Sequence, residues 1–131
     1  MEFLAVTGVE DKLQDKVLET IEKIRDAGIQ VWMLTGDKIE TAKCIAISTG
    51  MNKKTEKIHE IRGEDAILGT LDLKDSILAY EKTNRQTTML MIDGLALTKI
   101  MAKEELRTRF FTVAAEAKSV CVCRCSPKQK A

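Results

Sequence analysis

The stretch IQVWMLTGDKIETA at residues 29–42 decides the fold. Ile29, Val31, Trp32, Met33 and Leu34 make a short, nearly continuous apolar run, the pattern of a strand covered on both faces in a parallel sheet. The run stops at Thr35-Gly36-Asp37. There the glycine lets the backbone turn sharply, and its neighbours set a hydroxyl and a carboxylate at the strand's carboxyl end, the edge where ligands bind in open α/β sheets. Residues 40–48 read as a helix with Ala42, Ile45 and Ala46 on one face. The unit is strand, polar loop, helix.

Working back from this unit, Gly28 ends a preceding helix. Leu13, Val17, Ile21 and Ile24 recur at spacings of four, four and three, the stripe of a helix packed on a sheet. Residues 3–6 read as a short strand, 8–12 as a polar turn and 12–27 as the crossover helix. The result is a β-α-β-α order and a parallel sheet.

Working forward, 51–86 carries Lys53, Lys54, Glu56, Lys57, Glu60, Arg62, Glu64 and Asp65 without a clear long period, so most of it is expected in solvent as a charge-rich insertion. Within it, 57–61 reads as a short strand and 71–82 as a helix using Leu73, Ile77, Leu78 and Tyr80. TMLMI at 88–92 is a second buried-strand pattern, ending at the turn signal Asp93-Gly94, and 96–101 begins a helix. Across 103–118, Leu106, Phe110, Val113, Ala114 and Ala117 line one helical face while Lys103, Glu104, Arg107 and Arg109 line the other. A strand at 119–124 follows. Ser126-Pro127 is then a helix start, a capping side chain before the residue best tolerated in the first turn.

A chain of 131 residues suits one domain with one core. Its 21 basic and 20 acidic residues make no electrostatic case for nucleic acid or an anionic membrane as partner. No run approaches about 18 apolar residues and no signal peptide opens the chain, so the molecule is expected to be soluble. Cys121, Cys123 and Cys125 alternate, which on a strand sets them on one face about 7 Å apart. Structural zinc sites instead draw Cys-x2-Cys pairs from turns, and only His59 could supplement these thiols. The expectation is small buried thiols in a core strand, kept reduced in a cytosolic compartment.

Four stretches, GVEDKLQDKV at 8–17, AGIQVWMLTGDKIETA at 27–42, IDG at 92–94 and CRCSPKQKA at 123–131, together resemble the phosphorylation domain of P-type ATPases. The DK of TGDK and the following ETA are similar to the type IV branch, the phospholipid flippases. The resemblance implies a Rossmann-like parallel sheet flanked by helices, of the haloacid dehalogenase type and incomplete, with 1–131 a partial phosphorylation domain and 52–86 a variable insertion. By the same resemblance Thr35 binds the transferring phosphoryl group, and Gly36 and Asp37 line the nucleotide and phosphate pocket. Arg124 lines the ATP site, and Lys130 neutralises an aspartyl phosphate. These parts suit phosphoryl transfer, which asks a protein chiefly for positioning and charge neutralisation. Glu10 and Asp11 read either as acidic residues favoured at a helix N-terminus or as contributors to the phosphate edge. Asp93 has a characteristic position and no chemical role that the residues themselves supply.

The resemblance further implies ATP and Mg²⁺ as cofactors of an intact multi-pass membrane enzyme that moves phospholipid, has room for an accessory subunit and binds no nucleic acid. This segment would lie on the cytoplasmic side. Neither DKTGT, with the phosphorylated aspartate, nor GDGxND, with metal-binding aspartates, occurs in the chain, so the isolated chain is expected to be inactive. It is also expected to self-associate, or to cover itself with 3–6, along the open edge of the 29–34 strand. Lys130 is expected on a frayed turn. Two other readings stand beside this one: a stand-alone α/β module holding an anion or nucleotide on its TGD loop, and a small haloacid dehalogenase phosphatase. The second is weakened because such an enzyme needs a nucleophilic aspartate early in its chain.

Overall fold

The computed structural model describes residues 4–8, 12–64 and 72–130. Four strands, β1 (Val31–Leu34), β2 (Lys57–Ile61), β3 (Thr88–Asp93) and β4 (Ser119–Cys123), form one sheet in the order β1-β4-β3-β2. All three pairings are parallel. Parallel neighbours need crossovers, supplied by α2 (Ile39–Ser48), α3 (Leu73–Glu81), α4 (Gly94–Met101) and α5 (Glu104–Ala115), while α1 (Val17–Asp26) precedes β1 and the single turn α6 (Pro127–Lys130) follows β4.

The register sorts the core into two layers. Met33, Met89, Met91, Cys121 and Cys123 share one face, covered by Ile39, Ala42 and Ala46 of α2, by Met51 and by Ile21 of α1. Leu90, Ile92, Val120, Val122 and Ile61 share the other, beneath Leu73, Ile77 and Tyr80 of α3, Ala96 and Ile100 of α4, and Phe110 and Val113 of α5. Both central strands are buried at every position, which is why their sequences run apolar without alternation.

Several expectations need correction. The 29–34 strand is not covered on both faces: β1 sits at the sheet edge, and α4 and α5 stop short of it. Trp32 and Leu34 remain 38% and 43% exposed, forming one wall of an apolar cleft of about 480 Å³ with Leu97, Met101 and Phe111. No strand forms at 4–6, where Leu4 and Val6 stand in solvent; Phe3, Glu10, Asp11, Asp65, Leu71 and Ala131 lie outside the described residues. The crossover helix begins at Val17 rather than at 12, after Lys16 takes a left-handed conformation. Leu13 is consequently off the helix and exposed. The 51–86 segment is not mostly solvated, because β2 pairs along its length with β3 and Ile61, Leu73, Ile77 and Tyr80 are core residues. Cys121 and Cys123 do share a face, but left-handed Arg124 (φ 51°) turns the chain and sends Cys125 into the opposite layer.

A buried cation ties the first layer together. Arg25, 3% exposed, donates through Nη1 to the Gly50 carbonyl at 2.7 Å and through Nη2 to both Glu56 oxygens at 2.8 Å. Glu56 also accepts from the Lys53 amide at 2.9 Å. One bidentate pair thus pins the end of α1, the turn after α2 and the approach to β2.

Candidate functional site

The carboxyl ends of all four strands lie along one edge. After Leu34, the Thr35 amide donates to the Val122 carbonyl, the Cys125 amide donates to the Thr35 carbonyl, and the Arg124 amide donates to the Asp37 carbonyl, each at 2.9 Å. The left-handed turn at Arg124 aims these last two amides back toward the loop. A non-glycine residue there costs about 1–2 kcal/mol, so the surrounding contacts must offset that cost. Within the loop, Thr35 Oγ1 donates to Asp37 Oδ2 at 2.5 Å and accepts from the Asp37 amide at 3.2 Å. Thr35, Gly36, Asp37 and Arg124 are therefore brought together, mostly by backbone.

Gly36 is not there for conformational freedom. Its φ is not positive, and a Cβ would come no nearer than 3.8 Å to the Cys125 carbonyl oxygen. The constraint falls instead on two other glycines. A Cβ on Gly94 would lie 2.4 Å from the Arg124 carbonyl oxygen, and one on Gly63 would lie 2.6 Å from the Ala96 nitrogen. Between them, Asp93 caps α4 by accepting from the Ala96 amide at 2.7 Å, and it accepts from the Gly63 amide through both oxygens at 3.0 and 3.1 Å. Asp93 thus has a role that spacing did not supply: it joins the ends of β2 and β3 where those backbones approach most closely.

Lys130 closes α6, which is a formed turn rather than a frayed end. Ser126 and Gln129 make half of a capping box, the Gln129 amide donating to the Ser126 carbonyl at 3.0 Å. The Gln129 Oε1 accepts from the Ser126 amide at 2.8 Å, while its Nε2 donates to the Gly94 carbonyl and to Thr98 Oγ1, both at 2.8 Å. This fastens α6 to α4. Ser126-Pro127 was legible in the sequence as a helix start; the part of Gln129 and its partner Thr98, on a distant helix, was not. Among the described residues the Lys130 ammonium has no hydrogen bond or ion pair. Its charge reaches Cys125: burial pushes that thiol up, and Lys130 pulls the other way. Lys130 therefore stands near the loop without touching Thr35 or Asp37.

Beside the loop, Glu40, Arg62, Glu64, Asp93 and Arg124 line a cleft of about 30 Å³. Arg124 pairs with Glu64 at 3.3 Å, and Arg62 pairs with Glu60 at 2.6 Å and Glu40 at 3.7 Å. Burial alone would raise the Glu60 carboxyl; hydrogen bonds from Lys43 and Arg62 override it and hold the group below the usual carboxylate range. Among the described residues no three metal-ligating side chains converge. At this edge the Lys130 ammonium and Arg124 guanidinium are groups that suit an anion, while the Thr35 proton is already given to Asp37.

A Rossmann-like parallel sheet flanked by helices, with hydroxyl, carboxylate and cations gathered at its carboxyl edge, is part of a haloacid dehalogenase-like fold. Over all 131 of its residues the chain is 42% identical to the phospholipid-transporting ATPase NEO1 of Saccharomyces cerevisiae, 40% to phospholipid-transporting ATPase neo1 of Schizosaccharomyces pombe and 41% to human probable phospholipid-transporting ATPase IIB. It spans 11%, 12% and 11% of their lengths respectively. No family model matches the chain. Along its whole length the chain is therefore similar to one segment of the type IV phospholipid-transporting ATPases.

Proposed function

We propose that residues 1–131 form part of the phosphorylation domain of an ATP-driven phospholipid translocase, on the cytoplasmic side of its membrane. In this reading Thr35 holds the transferring phosphoryl group, Gly36 and Asp37 line the phosphate and nucleotide pocket, Arg124 lines the ATP site, and Lys130 neutralises the aspartyl phosphate. The observation that carries it is the junction of the 35–37 loop with residues 122–125, three backbone hydrogen bonds at 2.9 Å. Together with α6, it puts a hydroxyl, a carboxylate and two cations at one strand edge. The full-length match to named phospholipid-transporting ATPases favours this over a stand-alone anion-binding module.

ATP would supply the phosphoryl group and Mg²⁺ its charge neutralisation, with the metal's ligands coming from outside these residues. What the chain's own groups do is orient and neutralise. Before any ligand arrives the Thr35 hydroxyl gives its proton to Asp37, so holding a phosphoryl oxygen requires that proton to turn from the carboxylate to the ligand. Phospholipid would be handled elsewhere in the intact protein.

The test is made in the intact protein. Asp37→Asn and Lys130→Ala should each lower phosphoenzyme formation by about 10² to 10³, the usual consequence of removing one interaction with a transferring group. Normal phosphoenzyme levels in both variants would refute the assignment. The 131-residue chain alone should release no phosphate from ATP, and turnover abolished by Thr35→Ala would overturn that expectation.

A further inference from the structure

The cleft beside the 35–37 loop is narrowed by a side chain that can leave it. Its volume of about 30 Å³ holds roughly one water, too little for a phosphate group. Arg124 and Glu64 stand on its wall, with Arg124 Nη1 3.3 Å from Glu64 Oε1. Both residues project from fixed backbone. The Gly63 amide donates to both Asp93 oxygens at 3.0 and 3.1 Å, and the Gly63 carbonyl accepts from Lys99 Nζ at 3.2 Å. Arg124 is held left-handed, with its amide on the Asp37 carbonyl at 2.9 Å. The two charges are thus brought together from anchored positions, and side-chain rotation alone can part them.

The same wall carries a second guanidinium that is held differently. Arg62 donates to Glu60 Oε2 through Nε at 2.9 Å and through Nη2 at 2.6 Å, with Glu40 at 3.7 Å, and Lys43 pairs with the same Glu60 carboxylate. Charge-assisted hydrogen bonds of that length are the strong ones. Arg124, by contrast, meets Glu64 through one contact just beyond the usual N–H···O range, and the two side chains are 49% and 64% exposed. An ion pair of that kind is weak. Of the two guanidiniums, Arg124 is therefore the one whose carboxylate can be displaced, and a phosphate offers its planar fork the same geometry that a carboxylate does.

We infer that Glu64 is an internal competitor of the nucleotide: its carboxylate holds Arg124 until the phosphates of ATP take its place. The inference rests on the reading that Arg124 lines the ATP site, and it makes Glu64 a residue that limits ATP affinity. The test is a two-residue cycle in the intact protein, read as the dissociation constant of a non-hydrolysable ATP analogue in equilibrium dialysis. Glu64→Gln should tighten binding about two- to fivefold, the range for an exposed ion pair. Arg124→Ala should weaken binding. Adding Glu64→Gln to Arg124→Ala should then change it by less than about 1.5-fold, because the pair is already gone. Affinity indifferent to Glu64→Gln, with Arg124→Ala still weakening the analogue, would overturn the inference and leave the Arg124 assignment standing. An equal gain in both backgrounds would also overturn it, since that is the mark of general charge repulsion rather than of competition for Arg124. If Arg124→Ala leaves affinity unchanged, the assignment itself fails and the inference falls with it.

Discussion

The closest backbone approach at the site makes a sharp demand on one residue. Replacing Gly94 by Ala would set a methyl 2.4 Å from the Arg124 carbonyl oxygen and 3.1 Å from both the Arg124 carbonyl carbon and Gln129 Oε1. Two of those atoms are backbone. The obstructing residue is already held left-handed, with its amide bound to Asp37, so it cannot rotate aside without breaking the junction that joins β4 to the 35–37 loop. Overpacking of this kind costs about 2–3 kcal/mol. With an unfolding entropy of roughly 2.1 cal/mol/K per residue, the 131 residues give about 0.28 kcal/mol/K, so the melting temperature should fall by about 7–11 °C.

Two other glycines separate steric approach from backbone conformation. Gly28→Ala meets no atom within 4 Å but must hold φ at 79°, which costs about 1 kcal/mol, or about 4 °C on the same scale. Gly36→Ala has neither burden and should stay within about 0.5 kcal/mol of the parent. Calorimetric melts of the three variants provide the assay. A Gly94→Ala protein within about 2 °C of the parent, or a Gly36→Ala protein as damaged as Gly94→Ala, would refute the reasoning.

Arg25→Met should destabilise by about 3–5 kcal/mol, because it strands Glu56 without its partner; adding Glu56→Gln should recover a large part of that loss in denaturant melts, and simple additivity would count against a coupled pair. Burial pushes the Cys121 thiol up to about 12 and the Cys123 thiol up to about 11, whereas Cys44 is exposed. A thiol reagent at neutral pH should therefore label Cys44 alone in the native chain and the other three only after denaturation, as read by mass spectrometry. Along its outer side β1 has no partner strand among the described residues, and it carries no proline or inward charge to blunt that edge. The chain should sediment as a dimer at micromolar concentration, Leu34→Lys should return it to monomer, and a parent that stays monomeric would rule the edge out as a contact.

The parts of the fold that were legible in the sequence are those where one physical signal dominates. β3 was plain from the apolar run TMLMI ending at the turn signal Asp93-Gly94, and α5 from a long 3.6-residue period; β2, with the mixed sequence KIHEI, was read as a short strand inside a segment expected in solvent. Where burial is set by distant partners, periodicity failed. The charges of 53–64 suggested a solvated insertion, yet Lys43 and Arg62 neutralise Glu60 while Arg25 neutralises Glu56. A segment can thus be rich in charge and still lay a strand against the core. Likewise Trp32 and Leu34 read as doubly covered because the strand is apolar on both sides. Which strands become edges depends on the order β1-β4-β3-β2, and no local pattern encodes that order.

At the site the division is different. TGD and Ser126-Pro127 are local signals whose meaning is carried by the backbone within a few residues, and both were readable. Closure between strands is not local. Gly94 follows Asp93 and looks like half of an ordinary turn signal, but its lack of a side chain serves a residue 30 positions later, Arg124. Gly63, similarly, makes room for Ala96. Asp93 is the one polar group that touches both closures, capping α4 beside Gly94 and accepting from Gly63. Its carboxylate therefore serves to hold the strand ends at contact distance, and the loop of Thr35 and Asp37 inherits its position from that contact through Arg124.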